Sequence, residues 1–241
     1  MCPSTDPAPR GWVLLDAGNV IWDDDEGDAF TLGNIGRELE REGRSVTHHD
    51  LVAASRRAVD CFAPSVWRAV VWHFTAPDAD LYGRVLARVR DRYAELDDDA
   101  FRAFTRPLAG VAELLPALRA RGHVLALASN NIRRALSRLD ELGFLEHFAV
   151  REVSETLGVA KPDTRFFLEI LERAGADLAR TVMVGDRLDC DIAPARLLGL
   201  KTVRVVRGSH REQRPRTPAD LPDRSVAGAD EILSAIDALL P

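Results

Sequence analysis

Lysine is nearly absent. The chain of 241 residues holds two, Lys161 and Lys201, and arginine fills nearly every other cationic position. Basic surface is therefore built from Arg, and a retained Lys asks for a reason, since a compact ammonium differs from a guanidinium as a reactive or phosphate-binding group. Cysteine is scarce too. Cys2, Cys61 and Cys190 are an odd number with no pairing or zinc-like spacing. That excludes a disulfide framework and fits a reduced, cytoplasmic setting. No apolar run approaches the about 20 residues that span a bilayer. The N-terminal "MCPSTDPAPR" is polar, and the apolar "WVLL" after it is too short for a signal peptide. The expectation is a soluble protein with no membrane partner. A basic footprint is also missing. Net charge is -6 with the acidic residues scattered, which argues against nucleic acid as a partner. The Arg-rich "VRVVRGSHREQRPR" reads as local, solvated surface. Apolar residues are plentiful at 46%, enough for a sizeable core. The length suits one large domain or a domain with an insert.

Four short apolar runs read as buried parallel strands: "WVLLD" (12–16), "VLALAS" (124–129), "TVMVGD" (181–186) and "TVRVV" (202–206). "HFAVREV" (147–153) is a weaker fifth. Helical patterns lie between them, over 110–122, 131–143, 163–175 and 190–200, and an amphipathic tail closes the chain. Alternating strands and helices imply βαβ units and a parallel sheet covered on both faces. The fold class expected is α/β, a Rossmann-like parallel sheet with an inserted all-α domain. The alternation stops over residues 23–106, where only helical stretches occur. The core is then residues 1–22 and 107–241, with Pro107 and Gly110 marking the return.

Open α/β sheets bind ligands beyond the carboxyl ends of their strands. Asp16 falls there after the first strand, Ser129 and Asn130 after the second, and Asp186 after the fourth. Lys161 sits in "GVAKPDT" before a helix, and Asp191 lies five residues beyond Asp186. Asp16, Asp186 and Asp191 are hard oxygen ligands that repel one another without a cation. Mg²⁺ with retained waters answers that need. Ser129, Asn130 and Lys161 offer a hydroxyl, an amide and a point charge, which suit a phosphate group. Asp16 is then the nucleophile of an aspartyl-phosphate route. Asp163 and Asp189 read as helix caps or surface.

Taken together, "LLDAGNV", "LALASNN", "VAKPD" and "MVGDRLDCD" resemble the four motifs of the haloacid dehalogenase superfamily of Mg²⁺-dependent phosphohydrolases. The spacing "GDRLDCD" fits its GDxxxxD form. The helical insert resembles the C1-type cap of subfamily I. The resemblance implies Asp16 as nucleophile, Ser129 and Lys161 as catalytic and phosphate-binding groups with Asn130 beside them, and a metal held by Asp16, Asp186, Asp191 and the carbonyl of Gly18. It implies a small phosphorylated substrate and a monomer or homodimer.

One position departs from the family pattern. Its phosphatases usually carry Asp two residues after the nucleophile, to protonate the leaving oxygen and then activate water; here the residue is Gly18. A positioned general acid or base is typically worth ~10²–10⁴ in rate. Three outcomes stand open. The substrate has a good leaving group, such as an acyl phosphate or anomeric sugar phosphate. Another group substitutes, from Asp23, Asp24, Asp25 and Glu26 or from His48, His49 and His73. Or turnover is lost and the protein binds or regulates. Dehalogenases of the superfamily also lack the second Asp, but they need no Mg²⁺ and usually lose part of the Asp186/Asp191 pair. The insert contains no Lys, which argues against the superfamily's Schiff-base chemistry. Within it, Trp67, Val71 and Phe74 share a helical stripe and read as its core, whereas Arg68 and Trp72 lie off the stripe, toward substrate or a packing partner.

Overall fold

Every residue of the first strand, β1 (Gly11–Leu15), is buried, as a strand covered on both faces requires. The structure, a computed structural model, describes residues 8–240; Cys2, Pro241 and the rest of the first seven residues lie outside the described residues. The described chain forms two compact units. One holds the residues up to Ile21, Pro107–Arg207 and those from Pro215 onward; the other holds Trp22–Arg106 and Gly208–Arg214.

The elements of the second unit, among the described residues, are five helices: α1 (Asp25–Arg41), α2 (His48–Asp60), α3 (Val66–Thr75), α4 (Ala79–Ala94) and α5 (Asp98–Ala103). Side chains that cap free backbone N–H groups set their starts. Thr47 and Asp50 form a reciprocal capping box on α2, Asp78 accepts from Leu81 N at 2.9 Å, and Asp97 accepts from Ala100 N at 2.8 Å. Ile35, Leu39, Leu51, Val70, Val71 and Val85 fill the interior, with Trp67 and Phe74 packed against it. Trp72 is exposed and meets the Tyr82 ring edge-on. Buried Glu38 on α1 binds Arg41 at 2.8 Å and Arg92 of α4 at 3.0 Å. The segment Gly208–Arg214 corrects one expectation. It falls inside the Arg-rich stretch read as solvated, yet His210 and Gln213 are buried, and Gln213 Nε2 donates to Val59 O of α2 at 3.5 Å.

In the first unit the chain after the helices continues through α6 (Val111–Ala120), β2 (His123–Leu127), α7 (Arg134–Glu141), β3 (Phe148–Val150), α8 (Ser154–Leu157), α9 (Thr164–Ala174), β4 (Thr181–Gly185), α10 (Ala193–Leu197), β5 (Lys201–Val205), β6 (Arg224–Val226) and α11 (Ala229–Leu239). The strands make one sheet in the order β3-β2-β1-β4-β5-β6, each neighbour parallel. This is the α/β, Rossmann-like core. Leu14, Ala126 and Met183 of three adjacent strands pack with Phe166, Phe167 and Ile170 of α9. Two details differ from the sequence reading. A sixth strand, β6, closes the edge. And the helix expected over 190–200 begins as a wide turn, Leu188–Ile192, in which Ile192 N reaches back five residues to Arg187 O at 3.2 Å. Such π-type turns often mark functional sites. Among the described residues no helix is long and apolar enough to cross a membrane.

Candidate active site

Strands β1, β2 and β4 end side by side, with Leu15 level with Leu127 on one side and Val184 on the other. Whatever follows each strand therefore emerges together. Asp16 follows β1, and its backbone N donates to Val184 O at 3.0 Å. Ser129 lies two residues past β2, held by a parallel bridge to Val153. Asp186 comes directly after β4. All three are buried, as are Lys161 and Asp191. Lys161 Nζ lies 2.9 Å from Asp16 Oδ2 and 2.6 Å from Asp191 Oδ1. One carboxylate oxygen from each of Asp16, Asp186 and Asp191 lies within 4.8 Å of the other two.

Three carboxylates and one ammonium share this small volume. Burial works against the Lys161 charge, but Asp16 and Asp191 outweigh it and hold the amine protonated well above its usual range. Burial pushes the Asp191 carboxyl up to about 6, with Lys161 opposing and Asp16 adding to the rise. The other Asp191 oxygen accepts from Arg187 N at 3.0 Å. Gly185 makes room for this carboxyl, because a Cβ there would overlap the Asp191 side chain. Three hard oxygen donors and a local excess of negative charge fit a divalent cation with oxygen preference, and Mg²⁺ is such an ion.

The sequence comparisons agree with this geometry. A family model for haloacid dehalogenase-like hydrolases matches residues 12–199, which hold all four site motifs. The chain belongs to the haloacid dehalogenase-like hydrolases. It is 33% identical over 138 residues to a glyceraldehyde 3-phosphate phosphatase of Methanopyrus kandleri, covering 57% of this chain and 59% of that protein. It is 35% identical over 136 residues to a phosphoglycolate phosphatase of Agrobacterium fabrum, covering 55% and 54%. The chain thus spans little more than half the length of these curated relatives. In structure it is similar to a HAD phosphatase from Thermococcus onnurineus, with a TM-score of 0.65 at 17% identity, over 94% of this chain and 97% of that one.

Around this site the structure gives several residues more definite surroundings. Asn130, expected beside the phosphate, has its amide paired with the Lys161 backbone: Nδ2 donates to Lys161 O and Oδ1 accepts from Lys161 N, both at 2.8 Å. The paired bonds fasten the peptide that carries the ammonium. Asp163 caps α9 by accepting from Arg165 N at 2.9 Å, and Asp189 pairs with Arg187 at 2.6 Å. Two contributors escaped the sequence reading. Asn19 Nδ2 donates to Asp186 Oδ2 at 3.0 Å. Arg204, buried on β5, donates from Nε to Asp186 O at 3.3 Å. A charge inside the otherwise apolar "TVRVV" was the available signal for Arg204.

Proposed function

We propose that this hydrolase is a Mg²⁺-dependent phosphohydrolase of a small phosphorylated metabolite, working through an aspartyl-phosphate on Asp16. One observation carries the reading: Lys161 bridges Asp16 and Asp191 while Asp186 stands within metal-ligand reach of both. Asp16, Asp186, Asp191 and the Gly18 carbonyl are the groups that would hold the ion. When bound, it supplies the positive charge that lets a carboxylate face an anionic phosphoryl group. An Asp16 oxygen attacks phosphorus, the bond from phosphorus to the leaving oxygen breaks, and that oxygen departs with the electron pair. The Lys161 ammonium and the Ser129 hydroxyl bind the phosphoryl oxygens. Water then attacks phosphorus, the bond from phosphorus to the Asp16 oxygen breaks, and inorganic phosphate leaves with both protons of the water, freeing Asp16 as a carboxylate. Asn130 supports the first step by keeping Lys161 in place.

Gly18 supplies no proton in either step, which favours a leaving group that departs as a weak base. Three members of the acidic run have partners of their own. Asp24 accepts from the Trp22 indole at 3.0 Å, Asp23 from Asp25 N at 2.8 Å, and Glu26 pairs with Arg106 at 2.9 Å. His73 faces Arg57 at 3.1 Å. Residues 23–106 take the part of a C1-type cap domain. The relatives named for glyceraldehyde 3-phosphate and phosphoglycolate make small metabolites the first class to test. The protein acts as a monomer or homodimer on a soluble substrate in the cytoplasm.

The test is a panel with Mg²⁺ of acetyl phosphate, p-nitrophenyl phosphate, sugar phosphates and nucleotides, beside a 2-haloacid series with and without metal. Turnover of phosphates that Asp16→Asn abolishes supports the reading. Metal-free turnover of 2-haloacids would assign the dehalogenase branch instead. Silence on every substrate, with a tight protein partner recovered, would assign a binding role.

A further inference from the structure

The loop after β1 turns at Asn19, whose φ is +56°. In this left-handed region most side chains are strained, asparagine less than others, and glycine not at all. Glycine alone would serve the turn. It would not serve Asp186. Asn19 is 3% exposed, and its Nδ2 donates to Asp186 Oδ2 at 3.0 Å. A carboxylate in a metal site must present chosen lone pairs, and a donor on one oxygen fixes the rotation of the group. An amide does so without adding charge. A lysine or arginine there would fix the carboxylate and also compete with the cation. Arg204 holds the main-chain carbonyl of the same residue from β5, so carboxyl and backbone are anchored from two different elements.

From this geometry we propose that Asn19 is a positioning residue for Asp186, setting the affinity of the site for its divalent cation. The inference rests on the metal reading given above. Outer partners of metal ligands typically govern affinity by 10–100-fold. Asn19→Gly isolates the amide, because glycine keeps the left-handed turn and removes only the side chain. Asn19→Ser, whose hydroxyl stops short of Asp186 Oδ2, is the second variant and carries the same expectation should the first not fold.

Mg²⁺ is titrated calorimetrically into the metal-free full chain, and melting is followed in chelator. The expected result is a dissociation constant raised about 10–100-fold in Asn19→Gly, with a metal-free melting temperature close to that of the wild type. In Asp186→Asn the further change Asn19→Gly should alter Mg²⁺ affinity little, since the two residues act as one unit. Equal affinity in wild type and Asn19→Gly would overturn the proposal, as would a fall in melting temperature alone. A full additional loss in the double variant would also overturn it. Absence of Mg²⁺ binding in the wild type would remove the metal reading itself, and the wild-type titration shows that outcome separately.

Discussion

Gly18 is the residue on which the proposed route is most directly testable. It stands two places past Asp16, where an acid would protonate the leaving oxygen. Gly18 is not among the glycines with positive φ, so an aspartate can take its place without a left-handed backbone. If the missing proton governs the chemistry, kcat/KM should fall steeply as the leaving group becomes more basic. Acyl and aryl phosphates should be cleaved far faster than alkyl phosphates. Gly18→Asp should raise the poor substrates most, by up to ~10²–10⁴, and flatten a plot of log kcat/KM against leaving-group pKa. A wild-type plot already flat, and unchanged by Gly18→Asp, would mean that another group supplies the proton. Asp16, Lys161, Asp186 and Asp191 were legible from sequence because each is a charge beside a buried strand or helix start. Asn19 and the clearance at Gly185 were not. Their roles depend on a backbone angle and on the path of a folded loop, and no residue spacing carries either.

At the scale of elements, hydrophobic period and capping residues place the helices well. Thr47, Asp78 and Asp97 stand immediately before α2, α4 and α5 and accept from their first turns. Two elements were hidden for physical reasons. Strand β6 has three residues, of which only Val226 is buried, so it shows no period. It is held instead from beside it, where Asp223 accepts from Thr202 N at 2.8 Å. The wide turn Leu188–Ile192 has the composition of a helix, and it carries Asp191 to where a Cβ on Gly185 would overlap its side chain. Helix α9 gives the sharpest test at this scale. It follows the Lys161 loop and buries Phe166 and Phe167, whose rings meet edge-on at 5.6 Å. Phe166→Ala should cost about 3–5 kcal/mol, the usual range for emptying a buried aromatic site. Urea unfolding reads this directly. A loss below about 1 kcal/mol, the scale of an ordinary surface change, would show that α9 is not anchored by this side chain.

For the whole molecule, the insert between β1 and α6 was visible because strand alternation stops. The share taken by Gly208–Arg214 was not, since residues so far apart in sequence leave no local pattern; the arginines around them signalled solvent, while His210 and Gln213 went inside. Global stability has its own buried histidine, far from the chemistry. His123 begins β2, at the amino end of a sheet whose carboxyl ends carry the site, and it is buried. Burial holds its imidazole below the usual range, and the charges of Arg10 and Arg121 act in the same direction. Both guanidiniums pair with Asp237 of α11, Arg10 at 3.4 Å. The folded pKa therefore lies below the unfolded value of about 6.5. Between those two values the unfolded chain binds a proton that the folded chain refuses, so stability falls as pH drops through about 6.5 and reaches its floor at the folded pKa. Above about 6.5 the residue contributes no pH dependence. One such proton gives a slope of at most about 1.4 kcal/mol per pH unit. Urea unfolding of wild type and His123→Leu at pH 7.5 and 5.5 isolates this share from that of the carboxylates. The wild type should lose more stability between the two conditions than His123→Leu does. Equal losses would mean that His123 takes its proton in the folded state as readily as in the unfolded one, and the acid sensitivity would have to come from elsewhere.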